Sequence, residues 1–487
     1  MKDRVVVRIL QRLPSTEFKG FRAFLNCSVF NRDEKLIVLL DRLECEVIGS
    51  RKRRIPPEAM LSTLWPTPKR LNAALSALYG MLNLYLATVA HQQDSVAHYA
   101  WLFKAYESLD VDLTIWEKEY KRATKTLDKS PDSSENLLLR FQLEHTLASR
   151  AIHVARKKDG HFIDRNQELL DEYYLVTKLK YLCASHNLAR VYRREPPKAN
   201  LAAVQLMCEE MELSPLGKAF SLTLELLRLK TEDLALCEHL LSLLEKYGEQ
   251  FSEEDCNDLY GYLLNAAIPK MSLGEASFEK LVMRIYDRVL DKGLLLDKGR
   301  LSPFHFRNMV SAYARWGKLE RSRAVIDKFS THLTNDFGGV IVKFAEATWS
   351  FYSGHLRTSA QLFREVLQDG PEDVFWAMDA RQSLWKAYFG LYDELSTDEH
   401  EEMLRLYDSF RVYIMRNNAV ADATKKNYLN FIRIFNRLLS WLDKAKQNRS
   451  PNELHLLLEE VASLDHVTNR HWLTTAIQDF LPQNPDH

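Results

Sequence analysis

The chain has 487 residues with 66 basic and 66 acidic side chains, so no net charge directs it to nucleic acid or to an anionic membrane surface. Its 16 glycines and 15 prolines are about half the usual share, which argues against collagen-like sequence, disorder and sheets joined by tight turns. A length of 487 residues predicts about three domains or one extended repeat array. We therefore expect a soluble, all-α protein.

The start of the chain and its cysteines both indicate a cytoplasmic protein. Charged residues such as Lys2, Arg4 and Arg8 interrupt the opening segment, whereas a secretory signal needs an apolar run. The six cysteines stand singly, without the Cys-x-x-Cys spacing of zinc or redox sites. Because reduced cysteines are usually buried, we expect most of them in the core.

Residues 1–92 are predicted to form a basic N-terminal helical unit, since they carry 15 Lys or Arg against 8 Asp or Glu. Several basic side chains cluster within this unit and could contact nucleic-acid phosphates. A solvated loop is the alternative explanation for the cluster. The basic residues are Arg51, Lys52, Arg53, Arg54, Lys69 and Arg70.

The segment Leu71 to Ala90 carries no charged residue over 20 positions, which is the minimum length of a membrane-spanning helix. Polar residues interrupt it, however, and its large apolar residues fall at helical spacing. These residues are Leu71, Leu75, Leu78, Leu82, Tyr85, Leu86 and Val89. The pattern predicts a buried core helix and no membrane span.

Residues 93–250 are predicted to be a middle helical block, residues 251–446 a repeat array, and residues 447–487 capping helices and a tail. In the clearest repeat, Gly354 marks a turn between two helices and Phe363 packs between neighbouring helices. Gly317 occupies the turn position of the preceding copy. In the capping segment, Ser450 and Glu453 have the spacing of a capping box. The array predicts a tetratricopeptide-like α-solenoid, a superhelix of antiparallel helix pairs.

The inner helix of each predicted repeat lines the concave groove of such a superhelix. Counting back from the turns places amide, hydroxyl and cationic side chains on this face, where they could bind a peptide main chain and a carboxylate. A solvated or internally paired helix face is the alternative. The predicted partner-binding residues are Arg307, Asn308, Ser311, Thr348, Gln382, Lys386, Asn430 and Arg433.

No motif in the sequence specifies a reaction. Neither a Gly-x-Gly-x-x-Gly nor a Gly-x-x-x-x-Gly-Lys-Ser/Thr phosphate loop is present. His145 and His153 are eight residues apart, too far to share a metal ion on one helix. The acidic run Asp398 to Glu402 has no glycine-bent loop for calcium and indicates the start of a helix. The sequence thus predicts no catalytic residue, no metal, no cofactor and no small-molecule substrate.

Four strings together resemble one family of proteins. They are EFKGFRAFLNCSVFNRDEKLIVLLDRL, LDEYYLVTKLKYLC, GLLLDKGRLSPFHFRNMV and DARQSLWKAYF, which begin at Glu17, Leu170, Gly293 and Asp379. They are similar to strings in a family of uncharacterised helical-repeat, tetratricopeptide-like proteins common in Bacteroidetes-type bacteria. The resemblance implies an all-helical repeat fold over nearly the whole chain and brings no activity with it.

Two functions follow as expectations. The first is a non-enzymatic scaffold or adaptor that binds a protein or peptide in the groove of its repeat array. The second is a nucleic-acid-binding regulator, in which residues 1–92 act as a helix-turn-helix-like reader and the repeats sense a partner. Their salt dependence separates them, because phosphate contacts weaken steeply as salt rises.

Overall fold

The computed structural model describes residues 4–48, 58–93, 97–155, 161–191, 195, 201–229, 233–272, 275–297, 299–333, 338–370, 373–418 and 420–481. The predicted all-α class is confirmed, because helices make up 81% of the structure. Within the described residues, the Cα positions divide into two compact units. Unit 1 comprises Met1–Ser130 and Gln142–Ile163, and unit 2 comprises Pro131–Phe141 and Asp164–His487. The four segments predicted from the sequence, 1–92, 93–250, 251–446 and 447–487, have other boundaries than these two units. The division into four segments stays a prediction.

The helices of the first third of the chain are α1 Val5–Leu10, α2 Ser15–Leu25, α3 Lys35–Ile48, α4 Glu58–Leu64, α5 Pro68–Gln93, α6 Ala97–Ser108, α7 Leu113–Leu127 and α8 Ser134–Ala155. Then come α9 His161–Val191, α10 Leu201–Glu210, α11 Pro215–Arg228, α12 Leu234–Tyr247, α13 Glu253–Ser272, α14 Ala276–Lys292, α15 Pro303–Arg315, α16 Leu319–Phe329, α17 Gly338–Tyr352, α18 Leu356–Gln368, α19 Val374–Gly390, α20 Thr397–Arg416, α21 Asp422–Leu442, α22 Pro451–Ser463 and α23 Arg470–Gln478. Short 3-10 helices span Gly248–Gln250, Tyr392–Glu394 and Lys446–Asn448. Two short antiparallel strands, β1 Leu296–Asp297 and β2 Arg300–Leu301, interrupt the helices.

Unit 1 contains a core built around helix α5. Leu78 and Leu82 of α5 are fully buried there beside Leu39 and Leu43 of α3. All seven residues of the predicted apolar stripe lie in this core or pack against it. The part of the chain that the structure describes contains one helix long and apolar enough to cross a membrane, and it is α5, with 28% of its most apolar window buried.

Tyr85 fixes the packing of α5 against α2. Its hydroxyl donates a hydrogen bond to Glu17 at 2.7 Å, and burial together with this carboxylate raises the pKa of Tyr85 to about 12. Gly20 lies directly beneath the tyrosine ring, where a Cβ atom would collide with the hydroxyl. A glycine is therefore required at this position of α2 for the two helices to approach.

Unit 2 contains one continuous apolar core that extends from α9 to α23. Helices that follow each other along the chain pack together: α15 contacts α16 and α17, and α18 contacts α17 and α19. Gly317 and Gly354 adopt the left-handed conformation, with φ of 70° and 81°, in the short turns after α15 and α17. Glycine is the residue that adopts this conformation most readily at the end of a helix. The predicted turns at these two glycines are therefore confirmed. Gly274, the turn position of the predicted copy before Gly317, lies outside the described residues.

The ends of two helices test the predicted caps. Helix α20 begins in the acidic run Asp398 to Glu402, as expected, and Ser396 forms a full capping box with Glu399. The predicted capping box at Ser450 is wrong, since its side chain makes no cap hydrogen bond. The carboxylate of Glu453 accepts hydrogen bonds from Lys444 instead, at 2.6 and 2.9 Å.

Candidate functional site

A cavity of about 240 Å³ lies in unit 2 between helices α13, α15, α17 and α19. Six of the eight predicted partner-binding residues line it: Arg307, Asn308, Ser311, Thr348, Gln382 and Lys386. The spacing of the lining residues explains why they meet. Positions three, four, seven or eight apart on a helix share one face, and α15, α17 and α19 each present such a stripe to the cavity.

One end of the cavity is held by an internal ion pair. The guanidinium of Arg307 contacts the carboxylate of Asp379 at 3.0 Å and also donates to Asn308 at 3.0 Å. The hydroxyl of Tyr428 donates to the other carboxylate oxygen of Asp379 at 2.5 Å. Burial and the charge of Asp379 hold the pKa of Tyr428 well above its usual value. The charge of Arg307, expected to face a partner, is therefore neutralised within the protein.

Lys386 lies at the other end of the cavity. The sequence places it on an exposed groove, but the side chain is only 4% exposed because α19 is buried on most of its circumference. The ammonium lies 5.1 Å from the ring centres of both Phe351 and Trp472. Among the described residues, no carboxylate lies within ion-pair distance of it. These aromatic faces stabilise a cation only partly, so burial lowers the pKa of Lys386.

A second cation lies at the same end. Arg315 lines the cavity two helical turns beyond Arg307 and forms no ion pair with a described carboxylate. Burial would raise the pKa of the neighbouring Tyr352 hydroxyl, but the positive charges of Lys386 and Arg315, together with a hydrogen bond from Arg315, lower it. With two cations beside it, this end of the cavity is an environment that favours negative charge.

Three hydrogen-bond donors of the cavity wall have no acceptor among the described protein atoms. They are Nε2 of Gln382, the hydroxyl of Tyr286 and Nε of Arg315. Gln382 is 2% exposed and Tyr286 fully buried, so neither group can turn to bulk water. Asn469, in the left-handed conformation at φ 53°, donates to Oε1 of Gln382 at 2.9 Å and so directs Nε2 away from itself. A buried donor without a partner costs about 1–3 kcal/mol.

The remaining two predicted partner-binding residues do not reach the cavity. Asn430 donates to the backbone carbonyl of His466 at 2.6 Å, and Arg433 binds Glu460 at 2.8 Å. Tyr428 is the residue of α21 that lines the cavity. At about 100° per residue, positions two and five beyond Tyr428 point to other sides of the helix. The register of the earlier predicted repeats does not carry over to α21, which is a longer helix.

Several lining residues were missed by sequence reasoning. Arg315 lies eight residues after Arg307, and Asp379 lies seven before Lys386, so helical spacing alone could have found both. Tyr428 and Asn469 come from later parts of the chain. No local pattern in the sequence indicates that these two residues return to the cavity.

The basic cluster of the N-terminal unit is only partly described. Arg51, Lys52, Arg53 and Arg54 lie outside the described residues. Lys69 and Arg70 are exposed in the first turn of α5. Positive charge at a helix N-terminus gains nothing from the helix dipole, so these two side chains have no evident role in stabilising α5.

Within the described residues, no group of three or more His, Cys, Asp or Glu side chains is placed to hold a metal ion. No protein-family model, curated protein or solved structure matches this chain.

Proposed function

We propose that this protein is a non-enzymatic, cytoplasmic scaffold or adaptor that binds a protein or peptide partner at the cavity of unit 2. In this proposal the helix pairs from α13 to α21 form a tetratricopeptide-like α-solenoid, and the cavity is the deepest part of its concave face. The recurrence of left-handed turn glycines at Gly317 and Gly354 supports a repeated architecture.

The observation that carries the proposal is the buried ammonium of Lys386, which has no carboxylate partner among the described residues. A buried charge is costly unless it is paired. The protein tolerates this cost at a position that lines a cavity, next to a second cation. A partner that inserts an acidic group would supply the missing counter-charge.

The lining of the cavity supports binding more than chemistry. Its charged pair Arg307 and Asp379 is already satisfied internally, together with Tyr428. Amide and hydroxyl side chains such as Asn308, Ser311 and Thr348 also line the cavity. Such groups hydrogen-bond the main chain of an extended peptide, and they are neither general acids nor nucleophiles without an activating base.

The full-length protein tests this proposal. It is used to capture a partner from extracts of its native cell, and the purified partner is then titrated against wild type, Lys386→Met and Lys280→Met. Lys280 is an exposed lysine of α14 away from the cavity lining and serves as the matched control. We expect Lys386→Met to weaken the complex at least tenfold, since a charge-assisted contact contributes about 1.5–3 kcal/mol. Equal affinities for all three proteins would contradict the proposal.

A further inference from the structure

The two ends of the cavity differ in charge. Arg307 and Arg315 are eight residues apart on α15, which separates their Cα atoms by about 12 Å along the helix axis. Asp379 neutralises Arg307 at one end. At the other end, Lys386 and Arg315 have no described carboxylate partner. The cavity therefore concentrates positive charge at one end.

Its dimensions limit what can reach that end. At about 240 Å³ the cavity is smaller than the roughly 300–1,000 Å³ of most ligand pockets. It has room for one end group of a longer ligand or for a small molecule, but not for a folded segment. The aromatic rings of Phe351, Tyr352 and Phe344 line part of the cavity beside its polar groups.

The donors without acceptors match the needs of an oxyanion. A carboxylate or phosphate accepts several hydrogen bonds at once, and it is held most strongly where cationic and neutral donors converge. Gln382 lies one turn before Lys386 on the same face of α19, and its free Nε2 is buried. Arg315 offers Nε, and Tyr286 offers a buried hydroxyl from α14.

We propose that Lys386 and Arg315 form the charged part of an oxyanion site, with Gln382 and Tyr286 as neutral donors, and that this site binds a single carboxylate or phosphate group. The inference rests on the proposed function, whose partner it describes chemically. The group can belong to the end of a partner chain or to a free small organic anion, since both present the same oxygen atoms.

Binding of an anion at this site is coupled to protonation of Lys386. Besides its own burial, three titratable or charged groups act on the ammonium of Lys386: Tyr352 on α17, Arg315 on α15 and Asp379 on α19. Burial lowers the pKa of Lys386, whereas a bound oxyanion raises it again by direct attraction. Between the two pKa values, binding therefore brings one proton from solvent to Nζ of Lys386.

The first experiment uses simple anions as probes. Thermal unfolding and calorimetric titration of the full chain are measured with acetate and with inorganic phosphate, at constant ionic strength set by chloride. We expect both measurements to show saturable binding by wild type and Lys280→Met, and at least tenfold weaker binding by Lys386→Met and Arg315→Met. Titration in buffers of different ionisation enthalpy should show proton uptake in wild type and Lys280→Met, and none in Lys386→Met. Probe binding that is absent, or equal in all four proteins, would overturn the proposal.

The second experiment separates the two sources. An acetylated Gly-Gly-Leu peptide is titrated as the free acid and as the amide, which lacks the carboxylate. Tighter binding of the acid than of acetate, with loss of binding by the amide, supports a chain end as the natural group. Peptide acid and acetate of equal affinity support a free anion. If the anions bind through Lys386 but no partner is captured from cells, the oxyanion site stands and only the proposed scaffold function fails.

The variants Lys386→Met and Arg315→Met are chosen so that a loss of binding can be distinguished from a loss of folding. Met is close to Lys in length and apolar, and replacing a buried charged group with an apolar one is often neutral or stabilising. Arg315→Met changes a different helix from Lys386→Met. Circular dichroism of both variants establishes that they are folded before any loss of binding is interpreted.

Discussion

The hydroxyl of Ser359 donates a hydrogen bond to the backbone carbonyl of Ala347 at 2.8 Å, and this bond joins α18 to α17. An equivalent bond, 37 residues earlier, runs from Ser322 to the carbonyl of Val310 at 3.0 Å and joins α16 to α15. Both serines are fully buried. The small serine side chain lets the two helices approach until the hydroxyl reaches the facing backbone. The same spacing separates Gly317 from Gly354, so the two helix pairs are equivalent in more than their turns.

Removing either hydroxyl should destabilise unit 2. We expect Ser359→Ala and Ser322→Ala each to lower the free energy of unfolding by about 0.5–1.5 kcal/mol, the usual contribution of one hydrogen bond. Chemical denaturation followed by circular dichroism measures the change. Ser277 is exposed on α14, and Ser277→Ala is the control, with no expected loss because alanine favours a helix. Similar losses at Ser359 and Ser277 would mean that the buried bond contributes nothing.

Phe363 is the aromatic residue between neighbouring helices. Its side chain is 1% exposed, and its ring meets Phe344 edge to face at 5.4 Å between centroids. We expect Phe363→Ala to cost about 3–5 kcal/mol, because the neighbours cannot fill the space that is left. The exposed Leu456 of α22 provides a comparison, and Leu456→Ala should cost far less. Thermal unfolding that is unchanged by Phe363→Ala would contradict the packing.

The buried ammonium of Lys386 predicts an unusual pH dependence. Its pKa is lowered in the folded protein, so the charged form is favoured in the unfolded chain and destabilises the fold below that lowered value. Stability should rise as the pH increases toward the ordinary lysine pKa. Lys386→Met in chloride buffer should be as stable as wild type or more stable, by up to about 4 kcal/mol, at neutral pH. This difference should shrink near pH 10, as followed by denaturation at several pH values.

Replacing Arg307 should lower the free energy of unfolding more than it changes the affinity for a partner. Arg307→Ala leaves the carboxylate of Asp379 without its cation in a partly buried position. We expect a loss of about 1–3 kcal/mol in the free energy of unfolding, below the cost of breaking a fully buried pair. The double variant Arg307→Ala with Asp379→Ala should lose less than the sum of the two single variants. An additive double variant would show that the two charges do not interact.

The nucleic-acid alternative gives its own expectation. With the binding site in unit 2, replacing Arg51, Lys52, Arg53 and Arg54 by alanine, together with Lys69 and Arg70, should leave partner affinity unchanged. Binding to duplex DNA should be weak at physiological salt for a chain of zero net charge. Tight DNA binding that falls steeply with salt and disappears in this variant would favour the N-terminal reader instead.

Local patterns in the sequence carry part of this structure. The left-handed turn at Gly354 and the buried stripe of α5 follow from glycine conformation and helical spacing, which depend on neighbouring residues only. The exposure of Lys386 was predicted wrongly, because α19 is covered by residues as distant as Trp472. Asn430 and Arg433 lie away from the cavity for the related reason that a predicted repeat register does not fix the rotation of the next helix. Long-range packing decides both the burial of Lys386 and the rotation of α21.

Asn469 and Trp472 tie the last helices of the chain to the cavity through Gln382 and Lys386. A fragment that ended with the repeat array, at residue 446, would lack both residues. The ammonium of Lys386 would then lose one of its aromatic faces and meet water, and its charge would be hydrated in place of being held for a ligand. At the proposed site, the segment around residue 470 would thus take part in recognition, and we expect sequence changes there to alter ligand preference without changing the inner helices.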